Sequence, residues 1–506
     1  MLLRRLLGAL VWLFSLSAIG IYVWLALQRC VYPVEVDFIE GVMLDHVVRA
    51  AHGQPIYVEP SLRYIPLAYM PLFTVVSAAA FKLGATGFLA MRSVSFACSL
   101  LLMGILSFIV YRETRRPGFA IAAAGIYASA FGLTGACYDV GRPDSMMLML
   151  TFAGLATLRF SRGKAGAIIA AALLTLGFFT KQHSVLFSMG ALGYLFFHER
   201  RRFVPFAVAI VTGCAGGYAL LTVWLGDWFR VFTWSIPAGW SQVSPKRIEH
   251  YLGRGLFGEL ACSTAPALLS LASAETGEDR GTWLWYWTGF AGVGTGMLAT
   301  LDINAYLHVF TPTVVALSVL GPLALHRLQR HFEAQRPAGM VAGVVVVAVL
   351  VGQFVPLIYG IPPHRPRAHA AQAHRDLVER LRSFPNGVLV PYHSWYGREA
   401  GGQGNLQFIA LDDIERSRRN DILRRDPKFL ERMFEPLASG PNRPAIVTDV
   451  TLSHTGPLWR RIEPGYQLAD SFPSPFSDAM RPLTGNQHSL TYVYLPVDPP
   501  AADTTR

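Results

Sequence analysis

The chain has 506 residues, 52% hydrophobic and only 15% charged, against roughly 25% charge in an average soluble protein. That balance excludes a soluble globular protein and points to a polytopic membrane protein. The net charge of +11 does not indicate a nucleic-acid partner, because the Arg and Lys residues fall in small groups between apolar runs rather than in a stripe interleaved with aromatics.

In chain order, MLLRR precedes an apolar run to about Leu27. The run suits a span and exceeds a signal-peptide core, so a retained anchor with a cytoplasmic N-terminus is expected. The next apolar stretch, Ile65 to Leu83, contains Pro66, Pro71 and Lys82. Further candidate spans fall at about 88–111, 119–137, 145–160, 165–181, 184–198, 203–224, 256–274, 282–301, 307–325 and 338–359. If Ile65–Leu83 lies in the interface, Arg112, Arg115, Arg116, then Arg159, Arg162, Lys164, then Arg200, Arg201, Arg202, then Arg327 and Arg330 all become cytoplasmic. Only the acidic loop Glu275 to Arg280 disagrees, and acids weigh little in that rule.

The expected architecture is therefore a polytopic α-helical membrane unit of about eleven spans plus juxtamembrane helices over residues 1–360. After Ile361 the chain turns polar. A linker, IPPHRPR, leads to a helical pattern over Ala368–Ser383 and to VLVPYH, PAIVTDV and LTYVYLPV as strands, which reads as a small α/β domain over 361–498. An odd number of spans makes it extracytoplasmic, and the tail 499–506 is expected to be disordered. The five cysteines (Cys30, Cys98, Cys137, Cys214, Cys262) contain no C-x-x-C pair and read as small core residues, with a Cys30–Cys137 disulfide as the alternative. No internal repeat is evident, which weighs against a transporter.

Two acidic motifs, VDFIEG (Val36 to Gly41) and YDVGRPD (Tyr138 to Asp144), then share the outer face. Acids at membrane depth are costly unless paired or solvated, so both are candidates for function. Asp37 and Glu40, three apart, project from one face if a helix starts there; they read either as a cap and its capping-box partner or as a general base with a carboxylate helper. In the second motif Asp139, Arg142 and Asp144 flank a Gly-Pro turn, with Asp144 placed to cap the next helix. Arg142 is either a neutralising partner or a bidentate phosphate ligand. FFTKQHS places Lys181, Gln182 and His183 at the outer end of a span, where a lysine often only snorkels but where a cation, amide and imidazole also suit a departing phosphate. Tyr64 in the first outer loop, with Asn304 and His308 in LDINAYLH, are candidate contacts to donor or acceptor.

The ordered series DFIEG, GQPIY with YMPLF, GRPD at the head of an apolar run, and FTKQ resembles the bacterial branch of the GT-C glycosyltransferases, relatives of protein O-mannosyltransferases, lipid A aminoarabinose transferases and oligosaccharyltransferases. The resemblance covers roughly residues 5 to 325. It implies an inverting transfer from a polyprenyl-phosphate sugar to a hydroxyl of a glycan, lipid or protein outside the bacterial inner membrane. It also implies Asp37 as base with Glu40 beside it, a second acid matching Asp139 or Asp144, and juxtamembrane helices in the Ile65–Leu83 loop. Where relatives carry Asn-Tyr followed by an acid, this chain has NAYLH ending in His308. Arg142, Lys181 and His183 would meet the phosphate charge, so no cofactor is expected; a divalent cation bound by the two acidic motifs is the alternative. A lipid or sugar flippase, using the same charges as a binding site, and a non-catalytic assembly member of the same superfamily are the competing readings.

Overall fold

A computed structural model describes residues 2–272, 280–302, 305–333, 338–402, 406–417, 420–485, 487 and 489–497. Asn304 and the tail 499–506 lie outside the described residues, as does nearly all of the acidic loop at 275–280. The molecule is mostly helical with one small sheet. Its first helices are α1 (Leu2–Cys30), α2 (Glu40–Ala51), α3 (Leu72–Lys82), α4 (Leu89–Thr114), α5 (Pro117–Ser129), α6 (Asp144–Phe160), α7 (Gly163–Thr180) and α8 (Val185–His198). Among the described residues five helices are long and apolar enough to cross a membrane: α1, α4, α7, Arg200–Leu225 and Leu307–Glu333. A bent pair, Pro245–Glu259 with Ala261–Ala272, makes up to six.

The pair bends by 86°, so the run expected as one straight span at 256–274 begins inside a kink. The helix at α5 also stops earlier than its apolar run. It ends at Ser129, and residues 130–143 turn back as the loop that carries the second acidic motif. The ambiguous Ile65–Leu83 stretch forms only the 11-residue α3, about 16 Å long at 1.5 Å per residue and too short to span. Its prolines keep residues 65–71 out of the helix.

Apolar side chains of α1, α4 to α8 and the later long helices form one buried core. All five cysteines are free, so the Cys30–Cys137 alternative does not form.

Beyond residue 361, four strands make one sheet in the order β1-β2-β4-β3: β1 (Val388–Leu389), β2 (Ala445–Thr448), β3 (Tyr466–Ser471) and β4 (Tyr492–Pro496). β1 runs parallel to β2, with Leu389 opposite Ile446, and β4 is antiparallel to both β2 and β3. The helix expected at 368–383 is Ala370–Arg382. The strand missing from the sequence reading is β3, an edge strand that buries only Tyr466 and so carries no strong alternation. This unit has no separate core. Val34, Val36 and Val140 from the loops that carry the two acidic motifs pack with Leu377, Val390, Val447 and Leu490, and α2 and α3 share a second cluster with Leu406, Ile446 and Trp459.

Candidate active site

The first acidic motif does not begin a helix at Asp37. Helix α2 starts at Glu40, and Asp37 sits three residues earlier in an isolated bridge with Thr484. Its Oδ1 accepts the Ile39 N–H at 3.1 Å, which fixes the local turn. The side chain is fully buried and lies against Arg142, with Nε 3.1 Å from Oδ2 and Nη2 3.3 Å from Oδ1. Oδ2 nevertheless accepts no hydrogen bond. Burial pushes the Asp37 carboxyl above its ordinary value, opposed by Arg142 and the Ile39 N–H.

Glu40 has no such freedom. Oε1 accepts from Arg92 Nε (3.0 Å) and Gly141 N (2.8 Å); Oε2 accepts from Arg92 Nη2 (2.6 Å), Val36 N (2.8 Å) and, more weakly, Asp37 N (3.4 Å). Burial works to raise its pKa, but Arg92 and the backbone donors outweigh it, and the carboxylate is held below its ordinary value. Glu40 is therefore a clamp joining the two acidic motifs, not a helper free to move a proton. The reach back to Val36 and Asp37 realises half of a capping box; Asp37 does not supply the other half.

The second motif divides. Asp139 pairs with Arg29, Nε to Oδ2 3.1 Å, both fully buried. Asp144 opens α6 as its first residue instead of capping it, and its Oδ1 binds Lys181 Nζ at 2.7 Å. Arg142 stands between the two groups, 3.3 Å from His308 Nδ1 on its other side. Asp144 faces Lys181, His308 and Arg142 together, so the structure joins Asp37, Arg142, His308, Asp144 and Lys181 in one cluster and leaves Asp139 with Arg29. His183 lies beside Lys181 and Asp144 with its Nδ1 buried and unpartnered.

Two expected contacts fall elsewhere. Gln182 spends its amide on the Thr233 carbonyl (3.0 Å) and the Ala68 carbonyl (3.5 Å), pinning two other segments rather than facing the cluster. Tyr64 is buried under Arg49, with its hydroxyl on the Ile56 carbonyl at 2.9 Å. Tyr69 takes its place at the cluster: Lys181 Nζ lies 5.8 Å from its ring centre, and its hydroxyl feels the charges of Arg142 and Asp144. The sequence signal for Arg92 was available, a lone arginine inside the apolar run of α4, since an ionisable residue at that depth is a functional candidate by default.

Each of the four acids thus has its own cation: Asp37 with Arg142, Glu40 with Arg92, Asp139 with Arg29, Asp144 with Lys181. Among the described residues no three His, Cys, Asp or Glu side chains converge as a metal site. A cavity of about 610 Å³ is lined by Tyr251, Phe310 and the chain neighbours of His308, Leu307 and Val309, together with Lys246, Arg247 and His250; none of the cluster residues lines it. Over Asp37 lies the segment 483–485 of the C-terminal unit: Leu483 and Thr484 N–H both donate to the Val36 carbonyl at 2.9 Å. Gly485, at φ +73°, leaves only enough room that a Cβ there would sit 2.9 Å from Asp37 Oδ1.

No protein-family model matches the chain, and no curated protein matches it in sequence. Solved structures do match. ArnT from Cupriavidus metallidurans bound to undecaprenyl phosphate aligns over 96% of this chain and 98% of its own, with TM-score 0.57 and 13% identity. Its apo state gives TM-score 0.60 and 12% identity over 96% and 97%. The apo oligosaccharyltransferase of Archaeoglobus fulgidus gives TM-score 0.51 and 11% identity over 97% of this chain and 74% of its own. Identity this low speaks to the fold alone: the chain shares the fold of these three structures.

Proposed function

We propose that the chain is an inverting membrane glycosyltransferase that moves a sugar from a polyprenyl-phosphate donor to a hydroxyl acceptor, a glycan, lipid or protein, on the outer face of a bacterial inner membrane. The observation that carries this reading is Asp37: a buried carboxylate, raised in pKa, with one oxygen free of hydrogen bonds and a fixed guanidinium beside it. A base whose pKa approaches the working pH is the more effective catalyst. Asp37 takes the proton of the acceptor hydroxyl as that oxygen bonds the anomeric carbon. The bond from that carbon to the phosphate oxygen breaks on the opposite face, and polyprenyl phosphate leaves with its charge.

That charge needs stabilisation more than a proton. Lys181 and the remaining donors of Arg142 supply it, with His183 and His308 adjacent. The cavity's apolar wall and basic rim suit a phosphate on an isoprenoid chain, and the fold neighbour that binds undecaprenyl phosphate supports a lipid-linked donor. Because the acids are already neutralised by fixed cations, we propose transfer without a metal.

The test is purified protein incubated with a panel of polyprenyl-phosphate sugars and hydroxyl acceptors, with and without chelator, scoring polyprenyl phosphate released. The expected outcome is release from one donor class, insensitive to chelator and lost in Asp37→Asn. No release from any donor, or equal release by Asp37→Asn, would count against the reading; chelator-sensitive release would move the phosphate site onto a metal.

A further inference from the structure

Beyond β1 the chain turns through residues 390–393 into a short helix, Ser394–Glu399, that packs on α2. The turn sets His393 between two acids: its Nδ1 bonds Glu35 Oε2, and its Nε2 lies 3.1 Å from Asp449 Oδ2. All three side chains are buried. A neutral imidazole has a single N–H, so a ring facing a carboxylate at each nitrogen is satisfied only as the imidazolium. Burial disfavours that cation, but Asp449 and Glu35 together outweigh it and hold the ring above the ordinary histidine range. Glu35 is pushed up by burial, with His393 opposing. The other titratable groups facing the cluster are Glu40, already clamped by Arg92, Tyr392 beside Asp449, and Tyr396, whose hydroxyl accepts the Glu35 N–H at 3.1 Å.

Glu35 lies two residues before Asp37, and Val36 between them accepts the N–H groups of Leu483 and Thr484. The two residues that lead into Asp37, Glu35 and Val36, are therefore both held by the C-terminal unit. We propose that His393 is a positioning residue for Asp37: clasped between Glu35 and Asp449, it seats the C-terminal sheet on the first outer loop and so fixes the Asp37 carboxylate against Arg142. The positioning role rests on Asp37 being the base; the clasp itself does not.

Both Glu35 and His393 bind protons more tightly when the sheet is seated, so the seat is firmest at low pH and loosens as pH rises through their folded values. Amide hydrogen exchange on the full chain in lipid nanodiscs reads this directly. After correction for intrinsic base catalysis, wild type is expected to lose protection at least tenfold at residues 35–39 and 483–485 between pH 6 and pH 9, while α4 and α6 hold. His393→Gln should show the loosened loop already at pH 6, with no further change at pH 9, and Glu35→Gln should flatten the pH response. Wild-type protection that does not change with pH would overturn the clasp without recourse to any variant, as would a His393→Gln loop as protected as wild type. In the transfer assay His393→Gln should lower kcat at least tenfold with donor KM unchanged; wild-type kcat on a loosened loop would overturn the positioning role. The expected exchange pattern in a protein that transfers from no donor would instead keep the clasp and refute the transferase.

Discussion

At Asp37 the local environment sets two opposing demands. Burial raises the carboxyl pKa, which improves a base, and Arg142 holds it back so that the ionised form survives in the fold. The acid limb of the pH–rate profile should therefore lie above the ordinary aspartate range, with rate rising as Asp37 ionises. Arg142→Gln should move that limb to higher pH, because it removes the main influence that lowers the pKa; a limb that stays in place would show that Arg142 does not act on the base. Asp37→Asn should cut turnover by on the order of a hundredfold to ten-thousandfold. It also leaves the buried Arg142 without its counter-ion, and breaking such a pair costs on the order of 3 kcal/mol. Turnover must therefore be compared on the folded fraction, measured by thermal unfolding.

One scale up, the loop–helix element DFIEG is shaped by Glu40 more than by Asp37. Arg92 reaches from α4 to both Glu40 oxygens and to the carbonyls of Arg29, Tyr32 and Val34. Five bonds from one guanidinium tie the end of α1, the loop and the start of α2 to a spanning helix. The closing glycine of the motif has a matching reason: a Cβ at Gly41 would collide with Glu35 Oε1. Arg92→Ala and Glu40→Gln should each destabilise by about 3–5 kcal/mol, because each leaves a buried charge unpaired. Arg92→Lys should not restore the loss, since an ammonium cannot span both carboxylate oxygens and three carbonyls. A melting temperature unchanged in Glu40→Gln would show that the clamp is not structural.

For the whole molecule, the C-terminal unit is part of the site. It roofs Asp37 with residues 483–485, and it grips the segment at 227–240 through the Arg230–Asp421 pair (2.8 Å) and the Ser417 hydroxyl on the Ile236 carbonyl (2.8 Å). Site and sheet must then share one side of the membrane. In a cysteine-free background, an impermeant thiol reagent applied to intact cells should label Lys428→Cys on the sheet unit and spare Arg115→Cys at the end of α4. Labelling of both positions, or of Arg115→Cys alone, would contradict the sidedness on which the transfer scheme depends.

Composition, hydropathy and the order of short motifs determined the membrane class, most helix positions, the proline break in the 65–83 stretch and the pairing of the two acidic motifs near Lys181. These are local properties: a span is set by its own length and apolarity, and a proline or a run of alanines acts where it stands. Which acid meets which cation was decided only in three dimensions, because Arg29, Arg92, Arg142 and Lys181 lie on four different segments and any of them satisfies a buried carboxylate. The separation of Asp144 from Asp139, the exchange of Tyr64 for Tyr69 and the Glu35–His393–Asp449 clasp, whose partners are 358 and 56 residues apart, belong to the same class. Buried charges must find partners wherever the packing brings them, and sequence spacing carries no record of that choice.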